Sequence, residues 1–248
     1  IQGPSHVLSQ GTAAISRVKV GEPIGYFYGY QADGILQNQD EVDAYVSPNG
    51  DPYFVDQRPG DVRFVDLNQD GVIDELDKTY LGDPNPDFEM GLQLHAAYKG
   101  FYANATFTGK FGMQVMQSYR SFADNFTQNY TSDVLNRWHG VGTSNNMPRL
   151  SSTSNRNTNF ISDIFMHNAD YLRINNVTFG YEFTDLISLP EISKLNVYVA
   201  VSNLHTFTKY DGMDPEVRFG HDASWASGVD LGLYPQARTV MFGLSVDF

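Results

Sequence analysis

Residues 238–248 read RTVMFGLSVDF, in which apolar side chains alternate with polar or small ones. The apolar members are Val240, Phe242, Leu244, Val246 and Phe248. Successive side chains of a β-strand point to opposite faces, so this segment predicts a strand with one apolar face. A tilted strand of about 9–11 residues can cross the hydrocarbon core of a bilayer, so the pattern is typical of a membrane-crossing strand.

Four other segments alternate in the same way, and they comprise residues 87–98, 101–111, 171–183 and 195–207. Only Lys99-Gly100 separates the first two, which predicts a β-hairpin. In the third segment the alternation slips at Asn175-Asn176, where we expect a β-bulge. A sixth and less regular candidate strand covers residues 15–30, which Gly21 and Pro23 interrupt.

The connections between these candidate strands alternate in length. Two of them are short, whereas residues 31–86, 112–170 and 208–237 are long. Outer-membrane barrels have short periplasmic turns and long extracellular loops. The sequence therefore predicts an all-β fold, a transmembrane antiparallel β-barrel, with the three long segments as extracellular loops.

Six strands are too few for a closed barrel, because the smallest bacterial barrels have about eight and open edges are not tolerated in lipid. The sequence begins at Ile1 without an initiator methionine or a signal peptide. We therefore expect this chain to be the tail of a longer protein that supplies the remaining strands, and Phe248 to be its authentic C-terminus.

Composition excludes several classes of function. The net charge of −13 argues against nucleic acid as a partner, and the lack of cysteine excludes disulfides and thiol chemistry. No apolar run of about 18 residues is present, which argues against membrane helices. The metalloprotease, hydrolase and phosphate-loop motifs are also missing, so we expect no enzymatic activity.

The strongest local motif is the acidic stretch DLNQDGVIDELD at residues 66–77. Its oxygen-bearing residues follow the spacing of a calcium loop, and Gly71 permits the sharp turn such a loop needs. The predicted Ca²⁺ ligands are the side chains of Asp66, Asn68, Asp70, Asp74 and Asp77 and the carbonyl of Val72. Asp77 departs from the usual final glutamate, and a solvated turn without an ion is the alternative.

Several longer motifs are distributed along the chain, and each occurs once. They are GYFYGYQADGILQ (25–37), PGDVR (59–63), LGDPNP (81–86), NADYLRINNVTFGYEF (168–183), VSNLHTFTKYDGMDPEV (201–217) and LYPQART (233–239). In this order, with the acidic loop between the second and third, they resemble the C-terminal region of the SusC/RagA-type TonB-dependent outer-membrane transporters.

This resemblance implies that residues 1–248 form the C-terminal portion of a ~22-stranded barrel whose plug domain lies outside this chain. It implies location in the outer membrane, a SusD-like lipoprotein as a lid, and TonB acting through the missing N-terminal part. It also implies glycans (oligosaccharides) or peptides as substrates, and a dimer of transporter–lid pairs. The alternative is a secreted calcium-dependent carbohydrate-binding β-sandwich, in which two apolar sheet faces would pack together.

The chain also carries arginines and loop aromatics suited to ligand or partner contacts. We expect Arg149, Arg156, Arg173 and Arg218 to pair mainly with the abundant carboxylates. The loop aromatics serve either as a sugar-stacking or partner surface or as internal packing for the loops, and they are Tyr119, Phe122, Phe126, Tyr130, Trp138, Trp225 and Tyr234.

Overall fold

The computed structural model describes residues 6–7, 15–118, 130–152, 156–183, 192–217, 227–232 and 234–247. The chain divides into two compact units. The sheet unit comprises residues 86–113, 168–215 and 233–248. The loop unit comprises residues 1–85, 114–167 and 216–232.

Strands dominate both units. In chain order they are β1 (His6–Val7), β2 (Ser16–Val18), β3 (Tyr26–Tyr30), β4 (Ala32–Ile35), β5 (Val62–Phe64), β6 (Lys78–Gly82), β7 (Phe88–Tyr98), β8 (Phe101–Phe111), β9 (Gln114–Gln117), β10 (Met166–Asn168), β11 (Tyr171–Glu182), β12 (Lys194–Thr208), β13 (Val229–Asp230) and β14 (Thr239–Asp247). The short helices are α1 (Gln39–Ala44), α2 (Arg156–Asn159) and the 3₁₀ turns Glu75–Asp77, Ser132–Asn136 and Asp163–Phe165. Among the described residues, no helix has both the length and the apolar character needed to span a membrane.

The sheet unit is one antiparallel sheet in the order β14-β12-β11-β8-β7. The predicted hairpin is confirmed, since Tyr98 pairs with Phe101 across the turn. Lys99 and Gly100 have φ angles of 47° and 85°. Positive φ at both central residues is the geometry that matches the twist of a two-residue hairpin, so the turn fixes the register of β7 against β8.

The predicted bulge is also present. The register of β11 shifts between Ile174 and Asn176 against both neighbouring strands. On β12 the irregularity includes Asn203, whose φ of 52° lies in the left-handed region. The bulge absorbs extra residues locally, so that both halves of these long strands keep their apolar side chains on the same face.

Strand pairing aligns the apolar side chains of all five strands on one face. Leu92 lies opposite Phe107, and Phe107 lies opposite Ile174. Val199 lies between Phe179 and Phe242 in the same way. This face is open, with Phe242 at 82% and Leu244 at 67% exposure. An apolar face this continuous marks a surface that contacts something other than water.

Aromatic side chains mark both ends of the apolar face. Phe88 stacks on Phe111 at one end, with ring centroids 6.2 Å apart. Phe101 contacts Tyr181 at the hairpin end, with centroids 4.5 Å apart. About ten residues separate the rows, which is about 33 Å along a strand and about 25 Å along a barrel axis at ~40° tilt. That height equals the apolar band of an outer-membrane barrel.

The loop unit contains two hydrophobic clusters of its own. The first consists of Ile15, Phe27, Met116, Phe165 and Val229, and the second of Tyr30, Ile35, Val62, Phe64 and Ile73. Its small sheets have the orders β1-β2-β3-β6 and β4-β5, and β13 pairs in parallel with β9 beside β10. The first cluster draws on all three chain segments of the unit, so the long connections are folded together rather than extended as separate loops.

The prediction of a sixth strand of the large sheet at residues 15–30 is wrong. This segment forms β2 and β3, which pair with each other, and β3 also pairs with β6 of the loop unit. The physical reason is burial: Tyr26 and Phe27 are adjacent in sequence, yet both are buried. A strand covered on both faces belongs to a core and has no face left for lipid.

Two glycines on the polar face are fixed by tyrosine rings. Gly180 pairs with Tyr102 across β8 and β11, and Gly243 pairs with Tyr198 across β12 and β14. A Cβ atom at either glycine would collide with the ring of its partner. The rings therefore lie directly over the backbone of the glycines, and this packing fixes the register of the paired strands.

We expect Gly180→Ala to lower the free energy of unfolding by about 1–3 kcal/mol, because the methyl group would push Tyr102 out of its position. Urea-induced unfolding of the detergent-solubilised protein measures this. The matched control is Gly91→Ala on the same face, where an added Cβ meets nothing within 4 Å. Its effect should stay within about 0.5 kcal/mol; equal losses in both variants would contradict this account of Gly180.

Candidate functional site

The acidic loop, residues 66–77, is folded around its own backbone N–H groups. Asp66 accepts hydrogen bonds at Oδ1 from the N–H of Gln69, at 2.7 Å, and at Oδ2 from that of Gly71, at 2.9 Å. Gly71 has a φ of 89°, so the sharp turn predicted there is present. Asp70 Oδ1 accepts from the N–H of Val72 at 2.9 Å. The bond from Val72 to Asp70 is that of an Asx turn, and the two bonds to Asp66 span a longer part of the loop.

Asp77 is the buried centre of this loop, with no solvent exposure. Its Oδ1 accepts the N–H of Leu67 at 2.8 Å and that of Asn68 at 3.4 Å. Its Oδ2 accepts the N–H of Asp74 at 2.8 Å, and Asp74 in turn caps the turn that follows. The carboxylate at the last ligand position therefore ties the two ends of the loop together.

The carboxylates also create a strongly negative local field. Burial, followed by the charges of Glu75, Asp74 and Asp77, raises the pKa of Tyr30 to about 12. Burial and then the charge of Asp66 raise the pKa of Tyr53, whose hydroxyl donates to that carboxylate at 3.2 Å. A bound cation would relieve this field.

The side chains of the predicted ligands bond within the loop itself. Within the described part of the chain, no three His, Cys, Asp or Glu side chains are arranged to hold a metal ion. Asn68 turns its Nδ2 toward Asp70 Oδ2 and its Oδ1 toward the N–H of Asp70. Both side chains would have to rotate to share a cation, so calcium binding stays a prediction.

We expect Asp77→Ala to loosen the whole loop, because it leaves three N–H groups without their acceptor in a buried site. The local cost should be about 2–3 kcal/mol, which would accelerate amide exchange at Leu67 and Asp74 by about 30- to 150-fold. Hydrogen exchange followed by mass spectrometry or NMR measures this.

The control for this prediction is Asp70→Ala, which removes an exposed side chain from the same loop. Its effect should be confined to the neighbouring Val72 amide, whose acceptor it supplies. Unchanged exchange at Leu67 in Asp77→Ala would show that Asp77 does not hold the loop.

The predicted arginine–carboxylate pairs are confirmed where the structure describes them. Arg149 Nε lies 2.8 Å from Asp61 Oδ1, and Arg156 Nη1 lies 2.6 Å from Asp56 Oδ1. Arg156 lowers the pKa of Asp56, first through this hydrogen bond. These arginines therefore serve the loop unit itself.

The aromatic residues of the long segments divide between packing and exposure. Trp138 packs against the second cluster and donates from Nε1 to Gln37 Oε1 at 3.2 Å. Tyr234 is 88% exposed. Several predicted residues lie outside the described part of the chain, namely Tyr119, Phe122, Phe126, Arg218, Trp225 and Phe248.

The polar face of the large sheet holds a network of side-chain contacts. His95 Nδ1 lies 2.6 Å from Asn104 Oδ1, and Tyr102 Oη lies 3.1 Å from Asn196 Oδ1. Near the hairpin, His95, Tyr102 and Asn196 line a cavity of about 570 Å³ together with Glu182. Sequence reasoning missed the partner of Arg173, which is Asp214 at 2.6 Å in the YDGMDP stretch.

The chain is 31% identical over 99% of its length to TonB-dependent receptor P3 of Formosa agariphila. It is 32% identical over 93% of its length to TonB-dependent receptor SusC of Bacteroides thetaiotaomicron. This chain is a homologue of the SusC-type TonB-dependent receptors. It spans 24% of the first relative and 20% of SusC, and no family model matches it.

Solved structures agree on the fold of this SusC homologue. The RagAB peptide transporter superposes with a TM-score of 0.70 at 22% identity, over 97% of this chain and 24% of that one. The RagAB peptide importer in its open-open state gives a TM-score of 0.68 at 20% identity, over 98% of this chain and 24% of that one. The resemblance to the SusC/RagA family is therefore confirmed, and the fold is part of an antiparallel transmembrane β-barrel.

Barrel geometry assigns the two faces of the sheet. Strands of outer-membrane barrels alternate between apolar side chains toward lipid and polar side chains toward the lumen. In this SusC homologue, the open apolar face has the character of a lipid-facing surface and the hydrogen-bonded polar face that of a lumen-facing one. The relatives are receptors and transporters rather than enzymes, as expected from the sequence.

Proposed function

We propose that this chain forms part of a TonB-dependent transporter that imports nutrients across the outer membrane. The observation that carries the proposal is the homology to SusC-type receptors over nearly the whole chain. It is supported by a five-stranded sheet with one lipid-type face and one polar face. Energy from TonB would act through parts of the transporter outside these 248 residues.

Oligosaccharides or peptides are the proposed substrates, and a SusD-like lipoprotein is the proposed lid, in a dimer of transporter–lid pairs. One relative is the TonB-dependent receptor SusC, and the RagAB peptide transporter shares the fold. The alternative of a secreted β-sandwich would require a second sheet against the apolar face. In the described part of the sheet unit that face stays open, with Phe242 at 82% exposure.

Deleting the transporter that contains this chain should abolish growth on the imported nutrient. The measurement compares wild-type and deletion strains on neutral oligosaccharides and on peptides, each as sole source, with a protonophore to test for energy dependence. Purification of the tagged transporter should recover a SusD-like lipoprotein. Unimpaired growth on every nutrient would overturn the proposal.

Membrane insertion is tested by a matched pair of arginine substitutions. Leu94 lies on the lipid-type face of β7 and its neighbour Gln93 on the polar face. Leu94→Arg should destabilise the folded barrel by about 2–4 kcal/mol, because it places a charge near the bilayer midplane. Gln93→Arg should have little effect on stability. The measurement is the urea midpoint of unfolding of each variant in liposomes. A lower midpoint for Gln93→Arg than for Leu94→Arg would show that the faces are misassigned.

We further propose that the acidic loop binds Ca²⁺ and is stiffened by it. The negative charges of Asp66, Asp77 and Asp70 around Tyr53 support this proposal. Calcium titration by calorimetry should show binding that Asp66→Ala and Asp70→Ala remove. Glu75→Ala is the control, because Glu75 is an acid of the same loop that pairs with Lys78 instead. Equal affinity in the aspartate variants would reject the ligand set.

A further inference from the structure

Arg173 is buried, together with its neighbour Tyr171, on a polar face that is open over most of its area. It lies on the polar side of β11, opposite Thr108 of β8 and Thr206 of β12. Only 5% of its surface is exposed, while the residues opposite it are half-buried. A single open sheet cannot bury a long cationic side chain, so another segment of the chain must cover Arg173.

Asp214 contacts Arg173 from the segment of residues 210–215, which follows β12 and which we call the strap. Arg173 Nη2 donates to Asp214 Oδ1 at 2.6 Å, and the two side chains are only 6% and 13% exposed. Arg173 Nε donates to Thr206 Oγ1 at 3.0 Å, and its guanidinium lies 5.3 Å from the ring centroid of Tyr171. The arginine is thus held by the sheet on one side and by the strap on the other.

Local contacts fix the start of the strap at the end of β12. Thr208 donates from Oγ1 to the carbonyl of Asp170 at 2.7 Å and accepts the N–H of Tyr210 at 3.0 Å. Tyr210 is 5% exposed. A Cβ atom at Gly212 would collide with the Tyr210 ring, so a glycine is needed where the strap turns.

We propose that the strap narrows the barrel lumen at the end opposite the hairpin, and that Arg173 is the positioning residue that holds it there through Asp214. The strap would then set an upper limit on the cross-section of a substrate that enters. This inference rests on the proposed transport function, because it concerns the path that a substrate would take.

Charge burial explains why one pair can hold the strap. Two charges removed from water are stable only while each has its partner, and removing one partner leaves an uncompensated buried charge. Without the Asp214 carboxylate, Arg173 loses a charged partner in a site that excludes water, and lifting of the strap would restore its hydration. The sheet keeps its backbone pairing either way, so the lumen widens without loss of the barrel.

The test uses a cysteine-free version of the complete transporter with the reporter Thr178→Cys. Thr178 lies on the polar side of β11, nearer the hairpin than Arg173, opposite Asn104 and Ala200. Maleimides carrying polyethylene glycol tails of increasing size are added from outside, and labelling rates are measured. With the native strap, small reagents should react and large ones should be excluded.

In Asp214→Ala, the large reagents should react about tenfold faster or more, since loss of one partner of a buried ion pair is strongly destabilising. The small reagent should react at an unchanged rate. Arg173→Lys should give an intermediate cut-off, because it keeps the charge but loses the Nε bond to Thr206.

The matched control is Glu89→Ala, which breaks another ion pair on the same face. Glu89 and Lys110 are 3.0 Å apart and much more exposed, at 59% and 30%. This variant should keep the native size cut-off. Should Asp214→Ala fail to fold, as judged by heat-modifiable gel migration, Asp214→Asn removes the charge at nearly constant shape.

An unchanged cut-off in a folded Asp214 variant would overturn the proposal, as would an equal change in Glu89→Ala. Labelling does not require transport. A transporter that imports nothing but shows the expected size cut-offs would therefore disprove the proposed function. It would still support the proposed role of the strap.

Discussion

Antiparallel register across β8, β11 and β12 is the constraint on which the rest of the structure depends. Side chains alternate with period two, so a slip of one residue would send every apolar side chain to the lumen and every polar one to lipid. The bulge at Asn175 and the left-handed Asn203 protect this register along strands of 12 and 15 residues. Lipid contact, the luminal network and the position of Arg173 all follow from it.

Buried charge is the second organising element, and each unit uses it locally. In the loop unit, Asp61 bonds both Asn157 and Arg149, which joins two distant segments. Asp77 gathers three N–H groups within one loop. In the sheet unit, Arg173 and Asp214 join β11 to the segment after β12. Each of these carboxylates replaces the water lost by a buried donor, so all three have a structural role.

Alternation alone predicted much of the sheet, because a strand between lipid and lumen has two chemically distinct faces. The hairpin at Lys99-Gly100, the bulge near Asn175 and all five strands of the large sheet could be read in this way. The same criterion failed for residues 15–30, where Tyr26 and Phe27 are both buried and alternation carries no information. The pairing of Arg173 with Asp214 spans 41 positions. No local pattern encodes such a contact, although an acid in a glycine-containing turn after a long strand is a usable hint.

The composition of the first hydrophobic cluster has a consequence for the order of folding. Phe27, Met116 and Val229 share one core although about two hundred residues separate the first from the last. Contacts between such distant positions form late, because the intervening chain must first be ordered. The loop unit therefore reaches its final packing only after β7, β8, β11 and β12 have been synthesised. Residues 227–232, which follow them, must then pack into the cluster. A complete first cluster therefore indicates that nearly all of this part of the barrel chain has been synthesised and ordered.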